Sequence, residues 1–289
     1  MIALNDVQDI VKTAVYSGAL KDENPLTIVL IANYGTGKST VIRKTYKQPP
    51  PPKKVETGSG QNKKVIYIRR VSGSVLYTTN TTPYYLYTRF GDVLKSGQIR
   101  HIAMPDFLNV LNQPKYILQS HLTFYNSLVE EGVISIESRD GQFVAEVPVK
   151  IGLITAIARK DYIKRLDIWS GIGFRTRILP ISYHYSPDTQ QMIRDSAKVK
   201  DYINEKSFEI NLPPETTVEL PLALADEIEQ VALRTKDPDD ETGVRRQKQL
   251  QVFCMANALR DGRSEVTWED ILKLKEYEKY FHYDCRAEL

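Results

Sequence analysis

The chain of 289 residues is 42% hydrophobic and 26% charged, which excludes global disorder and suits one large domain or two modest ones. Its 39 basic and 36 acidic residues leave a formal charge of +3, too small to mark a nucleic-acid or membrane binder by charge alone. Two cysteines, Cys254 and Cys285, both in segments that read as helical, offer neither metal spacing nor a disulfide framework, so a reducing intracellular setting is expected.

Residues 3 to 20 have the period of an amphipathic helix, with Val7, Ile10, Val11, Ala14 and Val15 on one stripe. This N-terminus lacks the basic start, apolar centre and cleavage site of a signal peptide. No apolar run reaches the roughly 18 residues that cross a bilayer, so a cytoplasmic chain is expected. "LTIVLIA" reads as a buried strand, "IANYGTGKST" contains the loop that follows it, and "KSTVIRKTY" reads as a helix. Residues 47 to 64, with Pro49 to Pro52 and Lys53, Lys54, Lys63 and Lys64, read as a mobile surface insertion with no packed element. Its lysines are either a solvated charge run or a phosphate contact. "VIYIRRVS" and "SVLYTTNTT" read as strands, Pro83 opens a helix ended by glycine, and "IRHIAMPDF" is a strand with Asp106 at its C-terminal end. A helical region from Phe107 to Glu131, broken at Pro114, leads to "GVISIESRDGQFVAEVPV", a hairpin about its Asp-Gly turn. "KIGLITAIA" is another buried strand, and a helix leads on to the strand "ILPISYHY". From about Ser186 the segments have helical period, the last capped by Thr267 with Glu269 and Asp270 in its first turn. The expected fold is α/β, with a parallel sheet flanked by helices in residues 1–185 and a smaller α-helical lid domain in 186–289.

A phosphate-binding loop needs converging backbone N–H donors, a lysine and a hydroxyl that reaches Mg²⁺. Gly35 and Gly37 allow the tight loop, Lys38 begins the helix, and Ser39 is placed for the metal. Asn33, Tyr34, Gly35, Thr36, Gly37, Lys38, Ser39 and Thr40 are thus the candidate ATP-binding residues of a P-loop NTPase. A strict match has glycine where Ala32 stands, and a methyl group is tolerated there wherever φ is negative. The alternative is a plain glycine turn with Lys38 in solvent. Asp106 is the second candidate metal ligand, its alternative being a helix N-cap after Pro105. Phe107 occupies the position at which many ATPases carry the glutamate that polarises water, and Glu130 or Glu131 is the candidate substitute.

In this order the parts resemble the AAA+ P-loop ATPases, in the branch with a hairpin before sensor 1 that includes MCM-type helicases, MoxR proteins and magnesium-chelatase ATPase subunits. "ANYGTGKS" matches their Walker A, "IRHIAMPD" resembles Walker B without its final acidic residue, and "LTFYNSLVEEGVISIESRDGQFVAEVPVKIGLITAIA" resembles their hairpin and sensor 1 strand. The likeness covers roughly residues 25 to 280. It implies Thr155 at sensor 1, Arg175 or Arg177 in "GFRTRILPIS" as an arginine finger for a neighbouring subunit, and Arg245, beside Arg246, as sensor 2. Each arginine has the alternative of an ordinary surface residue. The resemblance further implies a homo-oligomer, as a ring or partial ring, that binds ATP and Mg²⁺ and acts on a macromolecule. That macromolecule is DNA if Arg139 of the hairpin meets a phosphate backbone; otherwise the hairpin is a subunit contact. "VEEGVIS", "GLITAIARKDY" and "GFRTRILPISYHYS" also resemble phage and prophage P-loop ATPases, which implies a host-cell cytoplasm and no particular activity. The competing function is an ATP-dependent switch or loader that holds a partner protein and hydrolyses little. A small-metabolite kinase would need neither hairpin nor helical tail.

Overall fold

The computed structural model describes residues 4–46, 53–57, 64–68, 73–79, 81–138, 141–198 and 207–289. Arg139, Lys63, the side chains of Lys53, Lys54 and Lys64, and the mobility expected of the insertion lie outside the described residues.

Helix α1 (Asn5–Tyr16) buries its predicted stripe of Val7, Ile10, Val11, Ala14 and Val15. Strand β1 (Ile28–Ala32) is buried at every position, as a central parallel strand covered on both faces must be, and α2 (Lys38–Lys44) follows the loop. β2 (Lys53–Thr57) and β3 (Lys64–Ile68) pair antiparallel, with Val55 opposite Ile66. This ribbon corrects the expectation that the insertion holds no packed element, and the strand expected in "VIYI" forms one half of it. Alternation in "KVIYI" specifies a strand but not its partner, and the residues just past the prolines supply the nearest one. Next come β4 (Val75–Tyr77), α3 (Pro83–Lys95), β5 (His101–Met104), α4 (Leu108–Leu111) and α5 (Lys115–Val129). Thr82 caps α3, its side chain accepting from the Tyr85 N–H at 3.2 Å. The hairpin is β6 (Val133–Ser138) with β7 (Gly141–Val149), followed by β8 (Gly152–Ala158), α6 (Arg159–Lys164), α7 (Leu166–Gly171) and β9 (Leu179–His184). The tail forms α8 (Pro187–Lys198), α9 (Leu222–Thr235), α10 (Val244–Arg260), α11 (Trp268–Tyr277) and a strand absent from the sequence reading, β10 (Ala287–Glu288).

The main sheet has six strands in the order β10-β9-β1-β8-β5-β4, and every neighbouring pair is parallel. Period-2 alternation divides β1 between the two faces. Ile28, Leu30 and Ala32 join the core formed with α1, α9, α10 and α11, while Val29 and Ile31 join the core under α3, α5 and Trp169 of α7. The helical tail therefore shares a continuous core with one face of the sheet, and its last residues return to extend the sheet at β9. Cys285 lies in this returning stretch with φ +59°, outside any helix, which corrects its expected placement; Cys254 is buried in α10, and both are free thiols.

At the start of β5, the fully buried His101 packs against two glycines, Gly18 and Gly152. Burial holds its pKa down to about 3, so the ring is neutral in the fold. Below the ordinary value of 6.5 the unfolded chain takes up a proton that the folded chain refuses, so this residue makes stability fall as the solution is acidified through that range. A Cβ at Gly152 would stand 2.5 Å from the Leu26 carbonyl oxygen as well as 2.5 Å from the ring. The backbone oxygen cannot swing away. Gly152→Ala is expected to destabilise the chain by about 1–3 kcal/mol, read from denaturant midpoints at constant m-value.

Candidate functional site

The loop between β1 and α2 lies at the C-terminal edge of the parallel sheet, where ligand crevices form in open α/β sheets. Positive φ occurs at Gly35 (+74°) and Gly37 (+78°), the two glycines the motif retains. Ala32 is outside that set and fully buried, so its methyl group belongs to the core and costs the loop no strain. Lys38 turns back over the loop, its Nζ donating to the carbonyls of Ala32 at 2.9 Å and Asn33 at 2.6 Å. This is a P-loop α/β fold. Lys38 is 9% exposed, and burial lowers its pKa to about 8, against the opposing pull of Asp106 and Cys285. Tyr183 and Tyr185, from β9 and just beyond it, both donate to the Thr36 carbonyl, at 3.1 and 2.8 Å, and so brace the loop from below.

A cavity of about 370 Å³ opens over the loop, lined by Tyr34 through Thr40, by Pro105 and Asp106 after β5, and by the end of β8 and Asp161 in α6. Asn33 contributes only its carbonyl to this arrangement. Ser39 Oγ donates to the Pro105 carbonyl at 3.2 Å, which brings the hydroxyl beside Asp106. Asp106 Oδ1 accepts from the Leu108 N–H at 2.9 Å while the residue lines the cavity; the N-cap position of α4 itself falls to Phe107. One hydroxyl and one carboxylate are the few protein donors that a phosphate-bound Mg²⁺ uses, the rest being water and phosphate oxygens. Among the described residues no group of three or more His, Cys, Asp or Glu could hold a metal ion on its own.

Phe107 is fully buried, stacked on Phe174 with centroids 5.6 Å apart and edge-on to Trp169 and Tyr125 at 5.5 and 6.1 Å. A carboxylate in that cluster would be desolvated and unpaired, so aromatic packing explains the residue that stands there. Thr155 is not brought to the cavity. It is fully buried within β8, three residues before the strand ends, paired in register with Val29 and Met104, and its Oγ1 has no hydrogen-bond partner. The residues of β8 that line the cavity are Ala156, Ile157 and Ala158.

The arginines gather at the opposite, N-terminal edge of the sheet. A second cavity of about 360 Å³ there is lined by the residues before β1 together with Glu130, Arg177, Arg245 and Lys248. Glu130 binds both Arg177, as an ion pair, and Arg245, whose Nε lies 3.0 Å from Oε1. Arg175 is turned elsewhere: its Nε lies 2.7 Å from the buried carboxylate of Asp237, and its guanidinium packs on the Tyr283 ring at 4.8 Å. Arg246 is also buried, 5.9 Å from the same ring. Glu130 therefore sits across the sheet from Lys38, and neither it nor Glu131 lines the loop cavity, which corrects the expectation that one of them replaces the missing glutamate there. Asp161 was missed by sequence reasoning; its only signal was an acidic residue three positions past the strand "GLITAIA".

No protein-family model matches the chain, and no curated protein does. Among solved structures, a full-length MCM homolog from Methanopyrus kandleri matches over 99% of this chain at 12% identity, with a TM-score of 0.48. The chain spans 57% of that protein's length. At that similarity the match carries no functional weight, and the fold assignment rests on the strand order and the loop.

Proposed function

We propose that the chain is a Mg²⁺-dependent ATPase of the AAA+ type that works as an oligomer. The observation that carries this reading is the buried Lys38 ammonium in a cavity at the sheet's C-terminal edge, with Ser39 and Asp106 side by side in its wall. A lysine costs free energy when buried, and a triphosphate supplies the charge that compensates it. ATP would lie against Tyr34 to Thr40, and Ser39 and Asp106 would hold Mg²⁺, which neutralises charge on the phosphates when bound. Arg177 and Arg245, at the far edge of the sheet, are the groups a neighbouring copy's nucleotide would meet; Arg175, held by Asp237, is structural.

The hairpin favours a protein contact over DNA. Ile134, Val144 and Val147 are exposed on it, and residues 133–149 contain Glu137, Asp140 and Glu146 against the single base Arg139. DNA as the substrate rests on the resemblance alone. The burial of Phe107 favours a second reading, a nucleotide-dependent switch or loader with slow turnover.

The test measures mass by light scattering and ATP turnover, with and without single- and double-stranded DNA. A mass several times the monomer in the presence of ATP, with measurable turnover, is the expected result. A chain that stays monomeric with ATP defeats the oligomeric reading. Assembly without turnover selects the switch, and an unchanged rate with DNA removes DNA as the substrate.

A further inference from the structure

A side chain that orients the attacking water and takes its proton speeds hydrolysis. Phe107 cannot serve, and Glu130 and Glu131 lie away from the loop cavity. The carboxylates lining that cavity are Asp106 and Asp161. Asp106 stands on the Ser39 side, with one oxygen committed to the Leu108 N–H. Asp161 comes from the first turn of α6 and accepts a hydrogen bond from the Tyr34 hydroxyl in the loop itself. Arg165 Nη1 lies 3.5 Å from its Oδ1, and Arg165 is anchored in turn by Asn112 Oδ1 at 2.6 Å. One hydroxyl donor and one neighbouring cation thus hold the carboxylate at the loop, and an ionised carboxylate has lone pairs left for a water.

We propose that Asp161 is the catalytic base of this site, a role that rests on the ATPase reading above. The water oxygen bonds to the γ-phosphorus and the bond from that phosphorus to the bridging oxygen breaks. ADP leaves with the bond's electron pair, and the water's proton passes to Asp161 and then to solvent. The products are ADP and inorganic phosphate. The competing role is structural, with Asp161 only latching Tyr34 and pairing with Arg165 four residues on.

The experiment uses the full chain with Mg²⁺ and a fluorescent ATP analogue for binding, and ATP for turnover. Asp161→Asn is expected to bind within about threefold of the parent while turnover falls by about 10²-fold or more. Asp161→Ala, equally inactive, is expected to regain turnover in sodium formate, which supplies a free carboxylate; a latch would not respond to formate. Parent-like turnover in Asp161→Asn overturns the proposal and leaves the ATPase reading intact. So does lost turnover with lost binding and no formate rescue. A parent that binds ATP without hydrolysing it also overturns the base but leaves nucleotide binding standing. A parent that binds no ATP overturns the functional reading itself.

Discussion

Lys38→Ala is expected to weaken ATP binding by about 10²-fold, the worth of a charge-assisted contact in a partly buried site, and to remove turnover. Titration of a fluorescent ATP analogue measures it. The same lysine predicts a pH dependence in the parent. With the pKa lowered to about 8, the ammonium that attracts phosphate is present below that pH and lost above it. Affinity should therefore be flat up to about pH 8 and fall beyond it, by roughly tenfold per unit, with a proton taken up when ATP binds near that pH. Lys38→Met should abolish this dependence. It should also melt no lower than the unliganded parent, because a lysine whose pKa is lower folded than unfolded opposes folding in its protonated form. Unchanged binding in Lys38→Ala would leave the loop as a glycine turn and no more.

Local chemistry made much of the frame legible. The buried runs of β1 and β8, Pro83 at the start of α3, the break at Pro114 and the hairpin of β6 with β7 are each specified within about ten residues, and each formed where expected. At α11 the Thr267 cap was legible in the same way, and the structure adds the reciprocal bond of a capping box: Asp270, three residues on, accepts the Thr267 N–H at 2.8 Å. What the sequence hid was partnership across the chain. Nothing local says that β2 pairs with β3 or that Ala287–Glu288 completes the sheet beside β9. Thr155 could be placed on a strand, but which residues of "GLITAIA" reach the loop depends on where β8 ends relative to β1, and Ala32 is opposite Ala158. Asp161 and Tyr34 are separated by 127 residues, and Glu130 and Arg245 by 115, so neither pairing has a sequence period. Phe107 looked like a loss of function in the alignment of motifs, whereas in the fold it is the centre of an aromatic core.

Arg177→Ala is expected to lower turnover by about 10³-fold, the scale of an arginine finger, with ATP affinity near that of the parent. Arg175→Ala should do the opposite. It leaves the Asp237 carboxylate, 1% exposed, without its cation, so it should cost about 3–5 kcal/mol of stability while the folded fraction turns over normally. Melting curves and single-turnover rates separate the two. The geometry also demands a test in trans, since Arg177 precedes β9 at one edge of the sheet and Lys38 follows β1 at the other, with no single chain able to bring them together. Lys38→Ala keeps Arg177 and lacks the loop's cation; Arg177→Ala keeps the loop and lacks the guanidinium. Each alone should be inactive, and mixing them should restore turnover at those interfaces where an intact loop meets an intact arginine. In equal mixture about a quarter of randomly formed interfaces have that composition, so the recovered rate should approach a quarter of the parent's. No recovery in a mixture shown by mass to co-assemble would place Arg177 with the Glu130 ion pair alone, as a structural residue of the far cavity.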